Sequence, residues 1–254
     1  MHPTSRPTIV LLHGSFADAS GFGAVIERLQ ANGYRTIAPP NPLRTLLSDA
    51  AYVRSVLDTI DGPIVVVGHS YGGMVMTNAA TGHPGVQALV YLNAFAPAAG
   101  EAANDLAYKF PGSMLTPPNL TVRPHPSADP TQSGQEAYIN DDVFREAFAA
   151  DVEPNMAAVM AATQRPIDLA CLQQPSGAPA WEAVPSWFVI GTDDHTIPPE
   201  LHRFMAARAG AVRTLELPAS HVVMMSKVDE VVDVIVEAAV AVVDATEPVT
   251  IGQP

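Results

Sequence analysis

The chain has 254 residues, 48% of them apolar and 15% charged, which supports one domain with a sizeable core and excludes a mainly disordered protein. Its 26 acidic against 13 basic side chains give a formal net charge of -13; such a surface repels phosphate backbones and anionic lipid, so nucleic acid and membrane are poor partners. A single cysteine, Cys171, allows no intramolecular disulfide and requires no oxidising compartment.

In chain order, short β-branched apolar runs predict strands at 8–12, 34–38, 63–67, 88–92, 186–190 and 212–217. Helical patterns fall between them at 20–31, 48–60, 71–81, 199–209 and 227–243, with Gly33 placed to end the first and Pro199 in a first turn. The alternation is the signature of βαβ units. Near-continuous hydrophobicity suits strands covered on both faces. The expected fold class is therefore α/β: a mostly parallel sheet of about six strands with helices on both faces. The apolar run 8–12 is too short for a signal-peptide core. No uninterrupted apolar stretch reaches the roughly 20 residues a bilayer needs, and 231–243 carries Asp233 and Glu237. A cytoplasmic location is expected.

Between Pro97 and Pro185 the alternation breaks. The stretch 127–135 reads as an exposed loop and two helices are expected at 141–150 and 155–162. The apolar residues Phe110, Met114, Leu115, Phe144, Phe148, Met156 and Met160 suggest that the segment folds over something. Residues 97–184 are read as a mainly helical cap inserted after the fourth strand, on one domain with core segments 1–96 and 185–245 and a loose tail at 246–254.

The run Val65-Val66-Val67-Gly68-His69-Ser70-Tyr71-Gly72-Gly73-Met74 sets a Gly-x-Ser-x-Gly turn between a buried strand and an apolar helix. That turn lifts a serine hydroxyl clear of the sheet and aims a helix N-terminus at developing negative charge. A serine needs a base to take its proton. Of eight histidines, His221 alone follows the last strand and precedes the last helix, at the sheet edge where such folds build sites. His13 supports a loop and His69 points away from the cleft. The base needs a carboxylate to fix its tautomer. Asp193 or Asp194, after the fifth strand, can serve; Asp194 has the better spacing to Ile197-Pro198, which leaves Asp193 to brace the loop. Oxyanion donors are expected from the Tyr71 N–H and from the loop after the first strand, with the Ser15 N–H first and Phe16 as alternative. Phe16, Asn93, Met114, Phe144, Met156, Met160 and Val222 are candidate pocket residues. For Met114, Phe144, Met156 and Met160, packing of the cap onto the core is at least an equal reading.

His13-Gly14-Ser15-Phe16, the elbow at 68–73, Asp194-His195-Thr196-Ile197-Pro198-Pro199 and Ser220-His221 together resemble the α/β-hydrolases, within the small capped group of plant methylesterases, hydroxynitrile lyases and bacterial esterases. The resemblance implies a cofactor-free hydrolase with Ser70, Asp194 and His221 as its triad. Two departures matter. Many relatives carry Asp and glycines where this chain reads Ala38-Pro39-Pro40-Asn41-Pro42. The lyases also place lysine after the histidine and threonine at Gly14, whereas Val222 follows His221 here, so hydrolysis is favoured over cyanohydrin cleavage.

The expected function is a serine carboxylesterase on small to medium apolar esters. Lactone, amide or carbon–carbon bond hydrolysis and perhydrolysis stand as alternatives, with a non-catalytic binding homologue in a different class. No metal or phosphate motif is present. A small-molecule substrate is the expected partner, and a homodimer stays open.

Overall fold

A computed structural model describes residues 6–126 and 133–246. Its strands run in chain order as β1 (Thr8–Leu12), β2 (Thr36–Ile37), β3 (Ile64–His69), β4 (Val86–Leu92), β5 (Leu120–Pro126), β6 (Ser133–Ile139), β7 (Ile167–Asp168), β8 (Ser186–Gly191) and β9 (Arg213–Leu217). The helices are α1 (Gly23–Ala31), α2 (Leu46–Leu57), α3 (Tyr71–Ala79), α4 (Ala103–Ala107), α5 (Asp141–Phe148), α6 (Pro154–Thr163), α7 (Leu169–Gln173), α8 (Pro199–Arg208), α9 (Val223–Ser226) and α10 (Val228–Thr246).

Six strands form one parallel sheet in the order β2-β1-β3-β4-β8-β9. The runs Thr8–Leu12 and Ile64–His69 are buried along their whole length, the pattern of strands sandwiched between helical layers. Helix α2 packs on α3 and α1 on α10, while α3 and α10 each lie against β3. The chain moves outward from β1 to β2, then returns to the other side of β1 as β3. That reversal opens a crevice at the carboxyl ends of β1 and β3, where the loop after Leu12 and the turn at Ser70 meet.

Several boundaries differ from the sequence expectation. The first helix breaks into a 3-10 turn, Ala19–Phe22, capped by the Asp18 carboxylate, before α1 begins at Gly23. Helix α2 starts earlier, because the Thr45 hydroxyl accepts the Ser48 N–H at 3.1 Å and caps it. The edge strand β2 keeps two residues of the expected five.

The excursion between β4 and β8 holds α4 to α7 and also a three-stranded antiparallel sheet, order β5-β6-β7, that the sequence reading missed. Prolines at 117, 118, 124 and 126 disguise β5 as a loop. As an edge strand it tolerates them, since proline's missing N–H faces away from the pairing. Of the loop expected at 127–135, residues 133–135 are strand and the rest lie outside the described residues. The expected tail also lies outside them, save Thr246, which ends α10. Among the described residues no helix is long and apolar enough to cross a membrane.

Candidate active site

Ser70 follows β3 and caps the start of α3 with φ 55 and ψ -125, a conformation that costs a non-glycine residue of order 1–3 kcal/mol and persists only where surroundings enforce it. They do. The Gly73 and Phe95 N–H groups both donate to the Ser70 carbonyl, at 3.0 and 3.2 Å. A Cβ on Gly72 would lie 2.4 Å from the Leu12 carbonyl oxygen, so only glycine lets α3 start this close to β1. The Ser70 side chain opens onto a cavity of about 600 Å³ beneath the cap. Ser15, Phe16 and Tyr71 line it from the core, and Phe110, Leu115 and Leu172 from the cap.

The loop after β1 reaches the serine through Gly14, where a Cβ would sit 2.5 Å from the Ser70 Cβ. His13 holds that loop: its Nδ1–H donates to the Gly14 carbonyl at 2.8 Å, and its Nε2 accepts the Asn41 N–H at 2.9 Å. The Nε2 contact needs a neutral ring, since a protonated imidazole has no lone pair there. Burial lowers the His13 pKa to about 4, so the ring stays neutral at ordinary pH. Asn41, from the proline-rich loop after β2, is thus a support for the site.

The Ser15 N–H has no acceptor among the described residues, and Tyr71, first in α3, has no intrahelical one. Both flank Ser70. The Phe16 N–H, the alternative donor, points elsewhere: it donates to the Arg165 carbonyl at 2.9 Å. That corrects the alternative.

His221 follows β9 and is fully buried. Its Nδ1–H donates to Asp194 Oδ2 at 2.8 Å, and its Nε2 is buried without a partner among the described residues. Asp193 is exposed and its N–H donates to the Ala219 carbonyl, so it braces the loop. The Asp194 carboxylate is held on every side. Oδ1 accepts the Thr196 and Ile197 N–H groups at 2.8 and 3.0 Å, and Oδ2 also accepts His202 Nε2–H at 3.0 Å. Burial alone would raise its pKa, but the His221 charge and the hydrogen bonds from His202 and His221 outweigh that and hold it well below the usual carboxylate range.

Three further residues fix the His221 loop. His69 Nε2–H donates to the His221 carbonyl at 3.0 Å, and the two rings pack 4.6 Å apart. Asn93, at φ 42, donates through Nδ2 to the Ser220 and His221 carbonyls at 2.9 and 3.0 Å and accepts the Gly191 N–H at 2.6 Å. Asp151 of the cap takes the Ser220 N–H at 3.1 Å and its hydroxyl. The Phe148 ring lies 4.9 Å from His221.

The candidate pocket residues scatter. Phe16 lines the large cavity, but Asn93 is the clamp just described, Phe144 is buried against Phe148, and Met114 lies off the cavity wall. Met156, Met160 and Val222 line a second cavity with Phe16. Sequence reasoning missed His202, Asp151 and the clamp role of Asn93. For His202 a signal existed: it falls in the first turn of a helix set by Pro198-Pro199, just after the acid.

The parallel sheet, the elbow and the order serine, aspartate, histidine define a hydrolase class of fold. The chain belongs to the alpha/beta hydrolase family, which matches residues 9–234. It is similar to a pyrethroid hydrolase of Sphingobium wenxiniae, 27% identical over 97% of this chain and 92% of the relative. A carbendazim hydrolyzing esterase of a Nocardioides species is 33% identical over 37% of this chain and 44% of its own length. Among solved structures, polyneuridine aldehyde esterase superposes with a TM-score of 0.79 at 18% identity, over 92% of this chain and 99% of that one.

Proposed function

We propose that this chain is a serine carboxylesterase for small to medium apolar esters, with Ser70 as nucleophile, His221 as general base and acid, and Asp194 as the group that fixes the His221 tautomer. The observation that carries the reading is the division of labour on His221. Asp194 takes Nδ1–H, which leaves Nε2 a basic lone pair, and His69, on which the ring packs, directly precedes Ser70.

Ser70 Oγ attacks the ester carbonyl carbon while its proton passes to His221 Nε2. The carbonyl oxygen becomes anionic and is met by the Ser15 and Tyr71 N–H groups. The carbon–oxygen bond to the alcohol then breaks, and His221 returns the proton to the leaving oxygen. Water, activated by the same nitrogen, attacks the acyl-enzyme and releases the acid. The hydrogen bond from Oγ to Nε2 is not made in this structure; such bonds commonly tighten when substrate fills the site. The apolar walls of the 600 Å³ cavity favour uncharged acyl groups. The similarity to proteins named as a pyrethroid hydrolase and a carbendazim hydrolyzing esterase supports ester substrates.

Ser70→Ala is expected to lower turnover of p-nitrophenyl butanoate by roughly a thousandfold or more, with the fold intact by circular dichroism. Wild-type turnover in that variant refutes the proposal.

A further inference from the structure

Phe16 faces two cavities. One is the large cavity above Ser70; the other, of about 230 Å³, is lined mainly by Met156, Met160, Val222, Met224 and Met225, with Asp18 and a few neutral polar residues also in its wall. Among the lining residues Phe16 alone is common to both. The second cavity thus begins one residue beyond Ser15, whose N–H faces the oxyanion, and one residue beyond His221.

Resting on the esterase reading, we propose that this methionine-lined cavity is the alcohol subsite, and that it takes a bulky, uncharged, apolar alcohol portion while the large cavity takes the acyl group. The chemistry sets the direction. When the carbon–oxygen bond breaks, His221 must give its proton to the leaving oxygen, so the alcohol has to lie on the His221 side of the carbonyl. Val222, which follows His221 in the chain, lines the smaller cavity and is absent from the wall of the larger one, and this assigns the smaller cavity to that side. Four methionines make the cavity soft enough to accept irregular apolar shapes. Its mouth carries Met156 and Val159, which are 49% and 57% exposed on α6 and offer an apolar way in.

The Phe16 ring is the door between the two. It is 4% exposed, stands edge-on to Phe148 at 6.4 Å, and belongs to the walls of both cavities. Its backbone is tied independently, by the N–H donated to Arg165 and by a φ of 59. Neither tie involves the ring, so truncating it in Phe16→Ala leaves the hydrogen bond to Arg165 in place.

The test holds the acyl group constant: methyl, benzyl and naphthyl butanoate, with wild type, Met160→Trp, Met225→Trp and Phe16→Ala. Filling the cavity from either wall should cut kcat/KM for the naphthyl ester by about tenfold or more and leave the methyl ester within about twofold. Deacylation should be unchanged, because every ester yields the same butanoyl-enzyme. Opening the door with Phe16→Ala should raise kcat/KM for the naphthyl ester relative to the methyl ester. The two tryptophan variants fill the space from separate elements, so misfolding of one, detected by thermal melting, leaves the other to decide. Equal losses on methyl and naphthyl esters, or losses that follow acyl length in a methyl ester series, overturn the subsite while the esterase reading stands. A wild type inert toward every butanoate overturns the esterase reading and the subsite with it.

Discussion

Replacing His202 by leucine removes one hydrogen-bond donor from the carboxylate at the centre of the site and keeps an apolar side chain in its place. His202 Nε2 and His221 Nδ1 reach the same oxygen, Asp194 Oδ2, at 3.0 and 2.8 Å, and the His202 and Asp194 side chains are 1% and 0% exposed. A hydrogen bond to a buried charge contributes about 1.5–3 kcal/mol. His202→Leu is therefore expected to lose about 2 kcal/mol in urea unfolding, and roughly 4–8 °C in Tm for a domain of this size. The chemistry moves as well. With one donor gone, the Asp194 carboxylate is held less firmly against His221 Nδ1, so the base is positioned less well and kcat should fall. His202→Gln keeps an N–H donor at this position and should restore most of the stability and of kcat. Wild-type stability together with wild-type kcat in His202→Leu would refute the reasoning, because it would mean that the third histidine of the cluster does not help to hold Asp194.

Three other outcomes follow from the geometry. The His13 ring takes up a proton near pH 4 in the folded chain, against an ordinary 6.5. Between those values the unfolded chain binds more protons, so stability is full above pH 6.5 and falls as the pH drops toward 4, by about 3 kcal/mol from this residue. Urea melts at pH 7 and 4.5 measure it, and equal midpoints contradict it. Asn93→Ala leaves the Gly191 N–H without its acceptor and frees the His221 loop. A loss of about 2–4 kcal/mol and a lower kcat are expected; unchanged kcat would show that the clamp does not position the base. Gly72→Ala places a methyl 2.4 Å from the Leu12 carbonyl, so the elbow must shift, and poor folding or a kcat drop of roughly a hundredfold or more is expected.

The central strands were legible because β1, β3, β4 and β8 are nearly all buried, and burial on both faces writes a continuous apolar run into the sequence. The edge of the same sheet was less legible: β2 keeps Thr36 and Ile37, half-buried and short. The cap sheet was hidden by the prolines of β5, since loop composition and an edge strand can look alike. Within the site, Ser70, Asp194 and His221 stand where loops leave the sheet edge, and position alone singles them out. Apolarity carries no such information, so Phe144 in the core, Met160 in the smaller cavity and Met114 beside neither could not be told apart. Asn93 acts across the chain, on Gly191, Ser220 and His221, through contacts that no local spacing records.

The most direct measurement of the central claim locates the covalent intermediate. The wild-type chain is treated with a fluorophosphonate, and the adduct is weighed on the intact protein and placed by tandem mass spectrometry. One adduct, on Ser70, absent from Ser70→Ala and formed far more slowly in His221→Ala, is the predicted result. An adduct on another residue, or labelling that persists unchanged in Ser70→Ala, contradicts it.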